Sequence, residues 1–138
     1  MVPPATAAAP RPDAVVLLPL DSDASAERLR AVHEKRTRAR LGVVVADTMG
    51  RAFREGIVGT AIGSSGLETV RELAGAVDPN GYVMNSTVVA IADELAAAAD
   101  LALGKLERVP FVLIRGYAAA GRGSASQLIR HPDRDLFR

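Results

Sequence analysis

The stretch Leu41–Gly56, LGVVVADTMGRAFREG, constrains the fold more than any other part of the chain. It opens on a β-branched run, Val43-Val44-Val45, and switches abruptly to Asp47, Thr48, Gly50, Arg51, Arg54, Glu55 and Gly56. A continuous apolar run of this kind reads as a strand buried on both faces. Polar residues at the carboxyl end of such a strand stand where open α/β sheets bind ligands. Asp and Thr oxygens suit a hard cation such as Mg²⁺ or Mn²⁺. Arginines suit phosphate or carboxylate. The stretch therefore points to metal-assisted chemistry on an anionic substrate. The competing reading is an Asp that only shapes a turn or caps a helix.

The rest of the chain narrows the class. Its 138 residues suffice for one domain with a core of its own. Aromatics make up only 4%, so that core has to be aliphatic and rich in alanine. A net charge of +1 gives no broad basic field for nucleic acid. The absence of cysteine excludes disulfides, thiolate metal sites and a cysteine nucleophile. His33 and His131 are too far apart in sequence to form a metal-ligand motif. No apolar run reaches the ~18 residues of a membrane span. The opening MVPPATAAAPRPD lacks the basic region and apolar core of a signal peptide, so a cytoplasmic location is expected.

In chain order, residues 1–13 read as a disordered terminus and residues 14–138 as one domain. Strands are expected near 14–18, 41–46, 57–62 and 110–115, sharing one mixed sheet. Helices are expected near 25–37 and 87–103. The first is capped by Asp23 or Ser25 with Leu29 and Val32 inward, the second is capped by Asn85 or Ser86 and stopped by Gly104. Residues 48–56 read as a site loop, GSSG at 63–66 as a turn, 67–76 as a short helical patch, and Asp78–Gly81 as a turn. Gly121, Arg122 and Gly123 read as a mobile loop, Ser124 as the cap of a last short helix, and Leu136 and Phe137 as docking residues. The fold class is α+β, a single domain whose mixed sheet is packed by helices.

The run VVVADTMGRAFREG…AIGSSGL resembles the central motif of the coenzyme F420-0:L-glutamate ligase family, the F420 γ-glutamyl ligases. Further blocks match in the right order: LLPLDSDASAERLR, D-P-N-G followed by VVAIADEL, PFVLIRG, and the closing LIR…DLFR. The resemblance covers residues 14–138, as the carboxyl-terminal half of the family fold. It implies a GTP-dependent enzyme that joins L-glutamate to F420-0 through a γ-linked amide and releases GDP and phosphate. It implies Mg²⁺ or Mn²⁺, with K⁺ as a further ion, and a homodimer. Asp47 and Thr48 match the family's metal-binding pair. Arg51 and Arg54 match basic positions that would contact phosphate or substrate. The family's GTP loop falls on Ala102, Leu103, Gly104, Lys105, Leu106, Glu107, Arg108 and Val109.

Two departures from the family pattern stand out. Archaeal-type members carry an acidic metal ligand near Lys105, and a lysine cannot fill that role. The family's amino-terminal half holds a nucleotide-contacting loop and a Gly-x-Asp-x-Ser-Asn type segment, and nothing in MVPPATAAAPRPD replaces them. The expectation is a truncated or split ligase, completed by a second copy or by the missing half. The alternative is a catalytically inactive fragment that serves as an interaction or assembly module. A third reading is another metal-dependent, phosphate-handling enzyme built on Asp47 and Thr48.

Overall fold

The computed structural model describes residues 16–118 and 120–135. The expected disordered terminus, Ala14, Val15, Leu136 and Phe137 lie outside the described residues. Helix α1 spans Ser22–Thr37. Its N-cap is Asp21, whose Oδ1 accepts from the Ala24 N–H at 2.8 Å. Asp23 in its first turn and Lys35 and Arg36 in its last complement the helix dipole. The helix buries Ser25 and Ala26. Val32, expected inward, is exposed. Small residues are favoured here because α1 starts against Gly63, where a Cβ would run into the Ser22 backbone.

Strands β1 (Val43–Arg51) and β2 (Arg54–Ser65) form one antiparallel hairpin, with Ala52 and Phe53 at its tip. The register runs from Val43 opposite Ser65 to Arg51 opposite Arg54, with shifts at Val45/Ala46 and Gly50/Arg51. The central stretch is therefore not a buried parallel strand followed by a loop. Asp47 and Thr48 lie within β1, opposite Thr60 and Gly59. The hairpin leaves its helical cover two residues after the apolar-to-polar switch. Residues 43–48 are half-buried, and 49–51 are exposed. The GSSG run is not a free turn either. Ser64 and Ser65 end β2 and are buried.

The expected helical patch at 67–76 is instead the first leg of a second hairpin arm. Strands β3 (Arg71–Glu72) and β4 (Val88–Val89) pair antiparallel. Backbone bonds from Leu73 to Thr87 and from Gly75 to Met84 continue the pairing. The arm turns at Asp78–Gly81 as expected, with Asp78 Oδ1 accepting from the Asn80 and Tyr82 N–H groups. Because Val88 and Val89 are committed to that ladder, helix α2 starts late and spans Ile91–Leu103. Its N-cap is Ala90, without a side-chain cap. The Thr69 carbonyl accepts from the Ala92 N–H instead, at 3.1 Å. Gly104 ends α2 at a φ of 61°. Two 3₁₀ turns follow, Ala125–Leu128 and Pro132–Arg134, and Ser124 and Gln127 cap the first reciprocally.

The core is the seam between β2 and α2: Ala61, Leu67, Ala92 and Ala96, flanked by Val44, Ala46, Leu95 and Leu128. The fold class is α+β. Its sheets are two small antiparallel pairs rather than one mixed sheet. Residues 110–115 find no strand partner among the described residues, and neither do residues 16–18. The loop through Gly121–Gly123 is held rather than loose. Gly123 donates to the Leu67 carbonyl at 2.7 Å, and a Cβ on Gly121 would stand 2.7 Å from the Glu68 nitrogen.

Candidate functional site

Gly59 creates the site. A Cβ there would stand 2.6 Å from the Ala96 carbonyl oxygen and 2.9 Å from the Asp100 Cβ. With only hydrogen at that point, α2 closes onto β2 and brings Asp100 beside the Thr48–Gly59 pair. Ala92, Ala96 and Asp100 follow one another at four-residue spacing, so the acid ends the buried stripe of α2. A recess of about 20 Å³, room for roughly one water, lies between Asp47, Thr48, Gly59, Asp100, Leu103 and Lys105. Lys105 crosses it: its Nζ donates to Thr48 Oγ1 at 2.8 Å. Asp47 Oδ1 accepts from the N–H of Thr48 at 2.7 Å.

The recess thus joins two parts of the chain that the sequence reading had kept apart, the Asp47–Thr48 pair and the loop after α2. Within that loop only Leu103 and Lys105 border the recess. Ala102, Leu106, Glu107 and Arg108 are exposed, and Gly104 and Val109 are half-buried. Glu107 turns back to accept from the Leu106 N–H at 2.8 Å. Arg51 and Arg54 do not reach the recess. They face each other across the hairpin tip, roughly 10 Å further along β1 from Thr48. Asp100 and Gly59 are the residues that sequence reasoning missed. The available signal for Asp100 was a charge continuing the alanine stripe, and Gly59 offered only a glycine inside the strand expected near 57–62.

Oxygen donors of the right kind for a divalent ion are present, but the set is incomplete in this chain. No group of three or more His, Cys, Asp or Glu side chains is gathered among the described residues. The Lys105 ammonium already sits on the Thr48 hydroxyl, and a dication at the same oxygen would meet it as a like charge. Asp47 and Asp100 are the carboxylates left to offer. Mg²⁺ takes one or two carboxylates and completes its shell with phosphate and water oxygens. The residues therefore fit an ion that arrives with a phosphate, and do not fit a preformed protein cage.

A second polar cluster holds the frame. Asp23 accepts from the Ser64 N–H at 2.7 Å, the Ser124 hydroxyl at 2.5 Å and the Ala125 N–H at 3.1 Å. Burial raises its carboxyl pKa, but the bonds from Ser124, Ser64 and Ala125 together outweigh that and hold it below the ordinary value. Arg30 ties α1 to the end of β2 through Ser65 Oγ at 2.9 Å, while pairing with Glu27 and Glu34. Asp93, on the first turn of α2, accepts from the Ala61 N–H at 2.9 Å. These acids are structural: each is spent on backbone or side-chain groups that hold the helices to β2.

A family profile described as F420-0:Gamma-glutamyl ligase matches residues 5–116. The chain belongs to the F420-0:γ-glutamyl ligase family. Among curated relatives of this ligase family, the coenzyme F420:L-glutamate ligase of Archaeoglobus fulgidus is 42% identical over 125 residues, covering 90% of this chain and 50% of the relative. Its namesake in Methanocaldococcus jannaschii is 43% identical over 126 residues, covering 90% and 51%. That of Methanothermobacter thermautotrophicus is 43% identical over 125 residues, covering 88% and 50%. This ligase-family chain spans about half the length of the relatives it matches. No helix among its described residues is long and apolar enough to cross a membrane.

Proposed function

We propose that the chain forms one part of a coenzyme F420-0:L-glutamate ligase and contributes the Asp47–Thr48–Lys105 recess to its site. The identity of more than 40% across nine-tenths of the chain carries this reading. A carboxylate oxygen of F420-0 attacks the terminal phosphorus of GTP, forming an acyl phosphate and releasing GDP. The amine of L-glutamate then attacks the acyl carbon, phosphate leaves with the bonding pair, and the nitrogen gives up a proton to complete the γ-linked amide. Lys105 sits on an exposed rim, placed to bind phosphate oxygens as a point charge. A Mg²⁺ or Mn²⁺ ion bound with the nucleotide at Asp47 would neutralise phosphate charge, and K⁺ belongs to the same proposal. Arg51 and Arg54, open at the hairpin tip, suit a carboxylate or phosphate of a substrate approaching from outside this chain.

The test is mass spectrometry of F420-0 incubated with the chain, L-glutamate, GTP and Mn²⁺, with and without a polypeptide supplying the rest of the relatives' length. A glutamylated product in either mixture supports the ligase. No product in both favours the second reading, an assembly module without activity, which the incomplete donor set and the exposed apolar segments favour. Asp47→Ala separates the metal role from folding. It should abolish Mn²⁺-dependent GTP binding while leaving the thermal midpoint unchanged, and retained binding would refute the assignment.

A further inference from the structure

The surface of the chain is too large for a self-sufficient domain. It amounts to 10849 Å², against roughly 6,800 Å² for a folded monomer of this mass. Residues outside the described set can account for at most about 2,900 Å² in any conformation. About 7,900 Å² then remains on the described residues, against roughly 6,100 Å² for a folded domain of their mass, a surplus on the order of 1,800 Å², about twice what one partner contributes to a standard interface.

Part of that surplus has a definite form. Phe111, Val112, Leu113 and Ile114 are consecutive large apolar residues with exposures of 68%, 36%, 65% and 40%. The exposure alternates with the two-residue period of a strand, with Phe111 and Leu113 on the more open face. The Phe111 ring meets His33 of α1 edge-on at 6.4 Å, which fixes where the segment lies. Its backbone makes no hydrogen bond with any described residue. An extended apolar segment with free backbone donors and acceptors is a template for strand addition.

We propose that Phe111–Ile114 is the edge onto which a β-strand of the complementary half of the ligase fold adds, whether that half is joined to this chain or arrives separately. The inference rests on the ligase reading and names the partner that completes the site. The family match extends to residue 116, so the segment belongs to the shared fold. The relatives carry about as much polypeptide again. A second copy is the weaker occupant. It brings none of the polypeptide that the relatives carry beyond their match to this chain, although exposed apolar residues also lie at Leu17, Leu18 and Leu20 and at Tyr82 and Val83 on the second arm.

Hydrogen–deuterium exchange tests this. The probes are the halves of the Archaeoglobus fulgidus and Methanocaldococcus jannaschii ligases that this chain does not match. In the chain alone the amides of 111–117 should exchange at unprotected rates. In a one-to-one complex with either half they should slow by roughly 100-fold or more. Leu113→Asp should weaken association by on the order of 100-fold, with exchange in α1 and the β1–β2 hairpin unchanged. The proposal is overturned if 111–117 stays unprotected in the complex, if neither half associates, or if protection appears in the chain alone at the mass of a dimer. The ligase reading fails separately: a protected complex that makes no glutamylated product removes the activity and leaves the docking edge, and product with 111–117 unprotected does the reverse.

Discussion

Replacing Gly59 by alanine tests whether the approach of α2 to β2 builds the recess. The new Cβ would lie 2.6 Å from the Ala96 carbonyl oxygen and 3.0 Å from its carbon, both helix backbone that cannot swing aside. Relief requires α2 to retreat by about 0.5–1 Å, which forfeits a quarter to a half of the dispersion contact along the seam. Overpacking of this kind costs about 2–3 kcal/mol, a large share of the roughly 5–15 kcal/mol that holds a domain together. For a chain of this size that is a fall in thermal midpoint of about 6–15 °C, read by circular dichroism. Gly50→Ala is the matched control. It sits in the partner strand with nothing within 4 Å of its added Cβ, so its midpoint should stay level or rise slightly. If Gly59→Ala melts within about 2 °C of Gly50→Ala, close approach is not what positions Asp100 beside Thr48.

Two further outcomes follow from side chains already placed. Asp23 titrates below its ordinary value in the folded chain, so its contribution is present above about pH 4 and is lost as pH falls through the depressed folded value; Asp23→Asn should therefore lower stability at pH 7 and flatten the acid limb of a denaturation profile below pH 4, and an acid limb identical to the parent would refute the role. Lys105→Met removes an exposed side chain, so the melting midpoint should hold, while GTP affinity of the assembled enzyme should fall by roughly 10- to 100-fold, the worth of one charge-assisted bond; unchanged affinity in a binding titration would remove Lys105 from the phosphate site.

Local chemistry made several elements legible in advance. The Asp78–Gly81 turn, the stop at Gly104 and the cap at Ser124 each depend on residues close in sequence, and each stands where the sequence puts it. The strand at 41–46 was visible from its valines, but its continuation through Asp47, Thr48 and Gly50 was not. Pairing with β2 carries those residues along whatever their own preference. The late start of α2 was hidden for the same reason, since Val88 and Val89 are claimed by Arg71 and Glu72. Residues 110–115 have the composition of a strand, and composition cannot supply a neighbour. The same limit applied at the recess. Asp47, Thr48 and Lys105 were within reach of motif reading, whereas Gly59 and Asp100 acquire meaning only once α2 lies across β2.

The bonds of Asp23 also set an order of events while the chain is being made. The partner hydroxyl lies 101 residues downstream at Ser124, and the Ala125 N–H lies 102 residues away. At ordinary synthesis rates of about 5–20 residues per second, roughly 5–20 s pass between the appearance of the acid and the arrival of those two partners. During that interval the carboxylate can hold only the Ser64 N–H. The first turn of α1 is consequently finished by residues 124 and 125, and a ribosome stalled between residues 65 and 124 would display α1 already held to the hairpin through Ser64 and Ser65 but not yet to the 3₁₀ turn at Ala125–Leu128.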